Sequence, residues 1–241
     1  MPSEPKYRRI LLKLSGELLK GKQDFGFDGS VIRDFGKQIS EIVHSGVQVA
    51  VVVGGGNIFR GGGPFAADMD RTTADNIGML ATLINALMLR DAYERLGLNV
   101  RILSAIPSPN IAEPFVRREA IRHLESGRVV LFACGTGSPF FTTDTAAALR
   151  ANEIEAEVLI KGTKVRGVFS ADPVVDPAAE FYEDISYEDV LQKNLRVMDA
   201  AAFAMCRDNH LPIIVFDITE NNNLKRVVMG DSVGTLVGKE R

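Results

Sequence analysis

Two lysines stand at the carboxyl ends of short apolar runs, Lys13 in Ile10 to Leu14 and Lys161 after Val158-Leu159-Ile160. One such lysine usually just reaches for solvent. Two at equivalent ends, both beside glycine-rich turns, are suited to neutralising a phosphoryl group in transfer. The turns are Lys13-Leu14-Ser15-Gly16, Gly54-Gly55-Gly56-Asn57 and Gly135-Thr136-Gly137-Ser138. Glycine there lets main-chain N–H groups turn toward an anion with no Cβ in the way, and a following helix adds its positive end. Arg60, between Gly54-Gly55-Gly56 and Gly61-Gly62-Gly63, can fork two hydrogen bonds onto phosphate oxygens. Asp144 opens a helix after the third turn, where it can serve the helix dipole alone or orient the two lysines or a magnesium ion. His44, His123 and His210 are isolated and read as surface or local structure.

Two common nucleotide fingerprints fail. Residues 16–23 read GELLKGKQ, but glutamine replaces the Ser or Thr that a phosphate-binding loop uses for magnesium, and Glu17, Leu18 and Leu19 would crowd the cradle. Gly135 and Gly137 start a dinucleotide fingerprint, yet Phe140 stands at its third glycine.

The elements that must position these groups follow from hydrophobic pattern. Near-continuous apolar runs recur at Ile10 to Leu14, Val47 to Val53, Val100 to Leu103, Val129 to Ala133, Val158 to Ile160 and Ile213 to Phe216. Such strands suit a parallel sheet covered on both faces by helices, an α/β class in which ligands bind beyond the carboxyl strand ends. Ser30 is expected to cap a helix that Gly46 closes, and Pro114 to open one that Gly127 ends; Ser186 with Asp189 forms a capping box. Residues 73–96 form a helix apolar around most of its circumference, which places it in the core or at a subunit interface. No linker or repeat divides the chain, so residues 1–241 read as one domain.

Composition narrows the class. Against 31 acidic residues stand 28 Lys and Arg, a net charge of −3, with 46% hydrophobic residues in 241. The apolar content excludes disorder, and the charge disfavours nucleic acid as a partner. Cys134 and Cys206 are too few and too far apart for a disulfide framework or structural zinc. The N-terminal apolar stretch is too short for a signal peptide or membrane span, so a cytoplasmic location is expected.

In combination the motifs are specific. KLSGE at 13–17, GGGNIFRG at 54–61, GTGSPFFTTD at 135–144 and KGTKVRGVFSADP at 161–173 resemble the bacterial uridylate kinases of the amino-acid kinase family, and the likeness continues through 197–203 and 226–230. The resemblance implies a three-layer αβα sandwich with a mainly parallel sheet, and transfer of phosphate from Mg-ATP to UMP in pyrimidine nucleotide (CTP) synthesis. It implies catalytic roles for Lys13, Asp144 and Lys161. It places ATP against Lys13, Leu14, Ser15, Gly16, Gly56, Arg60, Thr163, Phe169 and Asp172. UMP falls to Gly55, Asp75, Thr136, Gly137, Ser138, Pro139, Phe140, Phe141, Thr142 and Thr143. Magnesium would be carried by ATP, with no protein metal site. Gly21, Lys22, Gln23, Asp24, Phe25 and Gly26 match a segment associated with GTP activation, although a plain strand-to-helix connection explains them equally. UTP feedback and a homohexamer complete the implied properties. Three departures, Arg166, Glu157 and Ser138, are expected to alter hydrogen bonding to nucleotide. Another amino-acid kinase acting on a carboxylate or carbamate, and a non-catalytic nucleotide-binding protein, are the competing readings.

Overall fold

The computed structural model describes residues 4–61, 63, 66, 68–173, 175–195 and 197–238; Gly62, in the second glycine triplet, lies outside them. A nine-stranded sheet has the order β4-β3-β5-β2-β1-β6-β10-β11-β9. At its centre, β1 (Arg9–Leu14) is flanked by β2 (Gln48–Val53) and β6 (Val158–Thr163). Outward lie β5 (Val129–Ala133), β3 (Val100–Ser104) and the short β4 (Glu113–Pro114) on one side. The other side holds β10 (Ile213–Asp217), β11 (Thr235–Val237) and β9 (Asp184–Ile185). Among the described residues, only the β10–β11 pairing in this sheet is antiparallel. All six apolar runs are therefore parallel strands whose carboxyl ends share one edge.

Alternation along the strands builds two cores. Ile10, Leu12, Leu14, Val49, Val51 and Val53 face α2 (Gly29–His44), α3 (Arg71–Glu94) and α8 (Asn223–Met229). Leu11, Ala50, Val52 and Leu159 face α4 (Arg117–Glu125), α5 (Thr143–Glu153), α6 (Tyr187–Gln192) and α7 (Ala200–Asp208). Burying one such side chain contributes about 1.5–3 kcal/mol, so both faces demand cover and a helix–sheet–helix sandwich results. A separate two-stranded ribbon pairs β7 (Val168–Phe169) with β8 (Phe181–Tyr182).

Two helix starts differ from expectation. Asp28, not Ser30, caps α2, its carboxylate accepting from the Ser30 and Val31 amides. A carboxylate two residues upstream reaches both free N–H groups, while Ser30 already lies within the helix. Pro114 sits in β4, and α4 starts at Arg117 behind Val116, which supplies no side-chain cap. The Ser186–Asp189 box forms, with the Asp189 amide donating to Ser186 Oγ at 3.1 Å. Cys134 and Cys206 are buried free thiols. Among the described residues, no helix is long and apolar enough to cross a membrane.

On α3, Met79, Leu83, Ala86 and Leu89 are buried, whereas Leu80, Ile84 and Met88 are 47%, 45% and 40% exposed. The last three recur every four residues and form one outward apolar stripe.

Candidate active site

Lys13 and Lys161 are register partners across the parallel β1–β6 pair, so both side chains leave the same face of the sheet, toward the α5 layer. There α5 begins with Thr143 and Asp144 behind the N-cap Thr142. Asp144 receives both lysines: Lys13 Nζ lies 2.6 Å from Oδ1, and Lys161 Nζ donates to Oδ2 at 2.9 Å. The Lys13 contact is an ion pair off the hydrogen-bonding direction, leaving Oδ1 without an aligned donor. Lys161 also donates to the Val197 carbonyl at 2.6 Å.

The electrostatics follow from that packing. Burial alone would raise the Asp144 carboxyl, but the charges of Lys13 and Lys161 outweigh it and hold the group below the ordinary carboxylate value. Burial lowers Lys161, repulsion by Lys13 adds to this, and the attraction of Asp144 and Asp199 only partly offsets them.

Asp199 was not among the residues singled out from the sequence. It caps α7, accepting from the Ala202 amide at 2.9 Å, and accepts from Thr145 Oγ1 at 2.9 and 3.0 Å and from Thr142 Oγ1. It thus ties the start of α5, and with it Asp144, to α7. An aspartate before the Ala-rich stretch 200–204 was legible as a cap, but not as a partner of these threonines.

Around this centre the glycine loops interlock. The Gly54 amide donates to the Leu14 carbonyl at 2.9 Å. A Cβ on Gly16 would lie 2.4 Å from the Gly54 oxygen, and one on Gly55 would lie 2.8 Å from Ala81 Cβ, so only glycine allows this approach. The Leu14 side chain is fully buried in the core, which leaves only its main chain available to a ligand. Ser15 Oγ accepts from the Glu17 amide at 3.3 Å and caps α1 (Gly16–Leu19). Gly56 adjoins the Glu17 carboxylate. That carboxylate holds Arg60 in a fork, accepting from Nε at 2.6 Å and from Nη2 at 2.5 Å. A phosphate at Arg60 must therefore use the remaining N–H groups of Nη1 and Nη2 or displace Glu17.

Beside Lys161 opens a cavity of about 580 Å³, lined among others by Thr163, Val168, Phe169, Asp172 and Val197. The cavity brings together the three residues expected against adenine and ribose. Phe169 stacks on Phe181 with centroids 5.3 Å apart, and Thr163 Oγ1 closes the turn after β6 by accepting from the Val165 amide at 3.1 Å.

On the other side of Asp144 lies the stretch 135–143. Thr136 Oγ1 accepts from the Ser138 amide at 3.2 Å, Gly137 has φ +80°, and Phe140 has φ +71°. Asp75 on α3 accepts from the Phe140 amide and from Arg71 Nε, each at 2.8 Å. Partial burial raises the Asp75 carboxyl, yet these donors hold it below the usual value. Pro139 lies between Ser138 and the exposed Phe140 and Phe141. Thr143 Oγ1 adjoins Gly54, 3.4 Å from where a Cβ on that glycine would be, which joins this loop to the one after β2.

The segment Gly21 to Gly26 joins α1 to α2, rather than a strand to a helix; its Lys22, Gln23, Asp24 and Phe25 are exposed or partly so. Of the three departures, Glu157 is corrected outright. It precedes β6 and accepts from the Arg8 amide at 2.6 Å, at the amino edge of the sheet and away from every glycine loop. Arg166 lies over the Phe181 ring at 4.1 Å, and Ser138 is exposed within its turn. His123 is buried between Glu113 and Arg128, a local structural role. Among the described residues, no group of three His, Cys, Asp or Glu side chains is placed to hold a metal ion.

Two lysines bridged by an aspartate at the carboxyl edge of a parallel αβα sheet, amid glycine loops, define a phosphotransferase centre without a phosphate-binding-loop motif. The chain belongs to the amino acid kinase family, whose sequence model matches residues 8–217. Its structure is similar to that of UMP kinase from Bacillus anthracis, with a TM-score of 0.94 and 39% identity, covering 98% of this chain and 97% of that one. UMP kinase from Ureaplasma parvum gives 0.91 and 39%, covering 97% and 100%. Uridylate kinase from Archaeoglobus fulgidus gives 0.73 and 30%, covering 95% and 99%.

Proposed function

We infer that this protein transfers the γ-phosphate of ATP to UMP, giving ADP and UDP, and so supplies pyrimidine nucleotide (CTP) synthesis. The observation that carries the reading is the Lys13–Asp144–Lys161 bridge, set between the cavity beside Lys161 and the loop 136–143. ATP occupies the cavity side, with base and ribose against Thr163, Phe169 and Asp172 and its phosphates toward Lys13, the main chain of Leu14, Ser15 and Gly16, Gly56 and Arg60. UMP lies against Gly55, Asp75 and residues 136–143. The similarity to three uridylate-phosphorylating enzymes supports this choice of acceptor over a carboxylate or carbamate.

The acceptor oxygen on the UMP phosphate is already anionic at neutral pH, so no proton has to be removed. A bond forms from that oxygen to the γ-phosphorus, the bond from the γ-phosphorus to the bridging oxygen breaks, and ADP leaves with the electron pair. Alignment and charge neutralisation therefore carry the catalysis. Lys13 and Lys161 flank the transferring group, and Asp144 keeps two like charges together and aimed. Magnesium fits as a companion of the triphosphate: both Asp144 oxygens are occupied by lysines, so phosphate oxygens would hold the ion. When bound, it neutralises charge on the β- and γ-phosphates.

The continuous sheet supports reading residues 1–241 as one amino acid kinase domain; a cytoplasmic location belongs to the same reading. The exposed stripe Leu80, Ile84 and Met88 supports a homo-oligomer, read as a hexamer. GTP activation through Gly21 to Gly26 and inhibition by UTP are part of the same reading.

Purified protein with Mg-ATP and, in turn, UMP, CMP, dUMP, acetylglutamate and carbamate should release ADP with UMP; no release with UMP overturns the assignment. A rate indifferent to GTP across physiological concentrations removes the activation.

A further inference from the structure

The loop after β2 is joined to α3 by a buried pair of amides. Asn85, on the inner side of α3, is fully buried, and Asn57 is 1% exposed. Asn57 Nδ2 donates to Asn85 Oδ1 at 3.0 Å, and Asn85 Nδ2 returns a bond to Asn57 Oδ1 at 2.8 Å. Each nitrogen has a second proton, and both go to main chain. Asn85 donates to the Gly54 carbonyl at 2.6 Å, and Asn57 to the Gly26 carbonyl at 3.0 Å. The Gly26 amide in turn donates to the Asn57 carbonyl at 2.8 Å. Every amide proton of the pair is thus used, and neither group is open to a ligand.

The surroundings leave this loop little freedom. Gly55 packs against Gly78 and Ala81 of α3, and Gly16 against Gly54 and the Asn57 amide oxygen. On its other side the loop bonds to Leu14, next to Lys13, and adjoins Thr143, next to Asp144. A displaced loop would therefore disturb both supports of the bridge. Asparagine on a helix stripe shared with Ala86 and Leu89 would otherwise be a poor choice, since an apolar side chain of the same size fills the space without needing partners.

We propose that Asn85 is a positioning residue for phosphoryl transfer: paired with Asn57, it clamps the glycine loop and the 21–26 connection onto α3 and so fixes the loop main chain against Lys13 and the start of α5. The inference rests on the kinase reading above.

Two variants test it. Asn85→Asp keeps the shape and the acceptor toward Asn57 but loses both donors; the double variant Asn57→Leu with Asn85→Leu fills the same space without leaving one amide stranded. Steady-state kinetics with Mg-ATP and UMP are read well below the melting temperature, beside amide hydrogen exchange of 24–27 and 54–58. For folded variants the expected result is kcat down by about 10- to 100-fold, KM for UMP within about threefold, and faster exchange in both segments. A pair that served only stability would lower the melting temperature without separating kcat from KM. Unchanged exchange in both segments, or kcat within about twofold of the parent, overturns the proposal. The exchange measurement needs no substrate, so a parent protein inactive on UMP would count against the kinase reading alone.

Discussion

Lys13 and Lys161 sit directly opposite one another in the β1–β6 ladder. Adjacent parallel strands project register partners to the same side, so two ammonium groups are forced together and need a shared counter-charge. Asp144 supplies it from the first turn of α5, at 2.6 Å and 2.9 Å, where the helix N-terminus also favours a carboxylate. The cluster keeps one net positive charge at the sheet edge, suited to a phosphoryl group that carries negative charge through its transfer.

Lys161→Ala should lower kcat by about 10²- to 10³-fold, the cost of removing one preorganised donor from a transition state. Its KM for UMP should change little, because the ammonium meets the transferred group and not the acceptor nucleoside. Initial rates over a UMP titration check this, and near-normal turnover would take Lys161 out of catalysis.

Asp144→Asn keeps the shape but strands two buried lysines. Breaking a buried pair by removing one partner costs about 3–5 kcal/mol; three groups with side chains 11–17% exposed place the loss toward the lower end. Urea unfolding should show a lower midpoint with an unchanged slope, and kcat should drop with it in the folded state.

The same groups set the pH response. The folded-state Asp144 carboxyl lies below its ordinary 3.8, so its ionised form stabilises the fold above that pH, and the contribution is lost as pH falls through the depressed value. Lys161 lies below its ordinary 10.5. Its protonated form is disfavoured in the fold, and this cost is relieved as pH rises from the lowered value toward 10.5. Activity needs that proton, so kcat/KM, which reports the free enzyme, should fall on an alkaline limb below 10.5. Lys161→Arg should shift the limb upward in a pH–rate profile; an unmoved limb would assign it to another group.

Ile84→Glu introduces a charge into the exposed apolar stripe of α3. A surface change of this kind alters protomer stability by only about 0.5 kcal/mol but should be intolerable once a second chain covers the stripe. Sedimentation velocity should show the variant in smaller species than the parent, with the same circular dichroism; identical sedimentation would place the subunit contact elsewhere.

Much of this was legible in the chain itself. Short, partly β-branched apolar runs such as Val129 to Ala133 suit strands buried on both faces, and Gly54-Gly55-Gly56 or Gly135 marks places where backbone must turn or approach closely; these are local consequences of side-chain size and polarity. Lys13, Lys161 and Asp144 could be named because each stands next to such a local signal. Their grouping was not local. Which strand neighbours β1, that Lys13 faces Lys161 and not Gly162, that Glu17 takes up the Arg60 fork, that Asp199 braces α5, and that Asn85 meets Asn57 all depend on register and helix packing. Glu157 shows the converse: as a departure from the family pattern it is expected to act on nucleotide binding, but its place before β6 puts it at the opposite edge. Residue type and spacing determined the elements and the candidate chemistry; tertiary packing decided which groups share a charge, because contacts between distant segments arise only when the sheet closes its register.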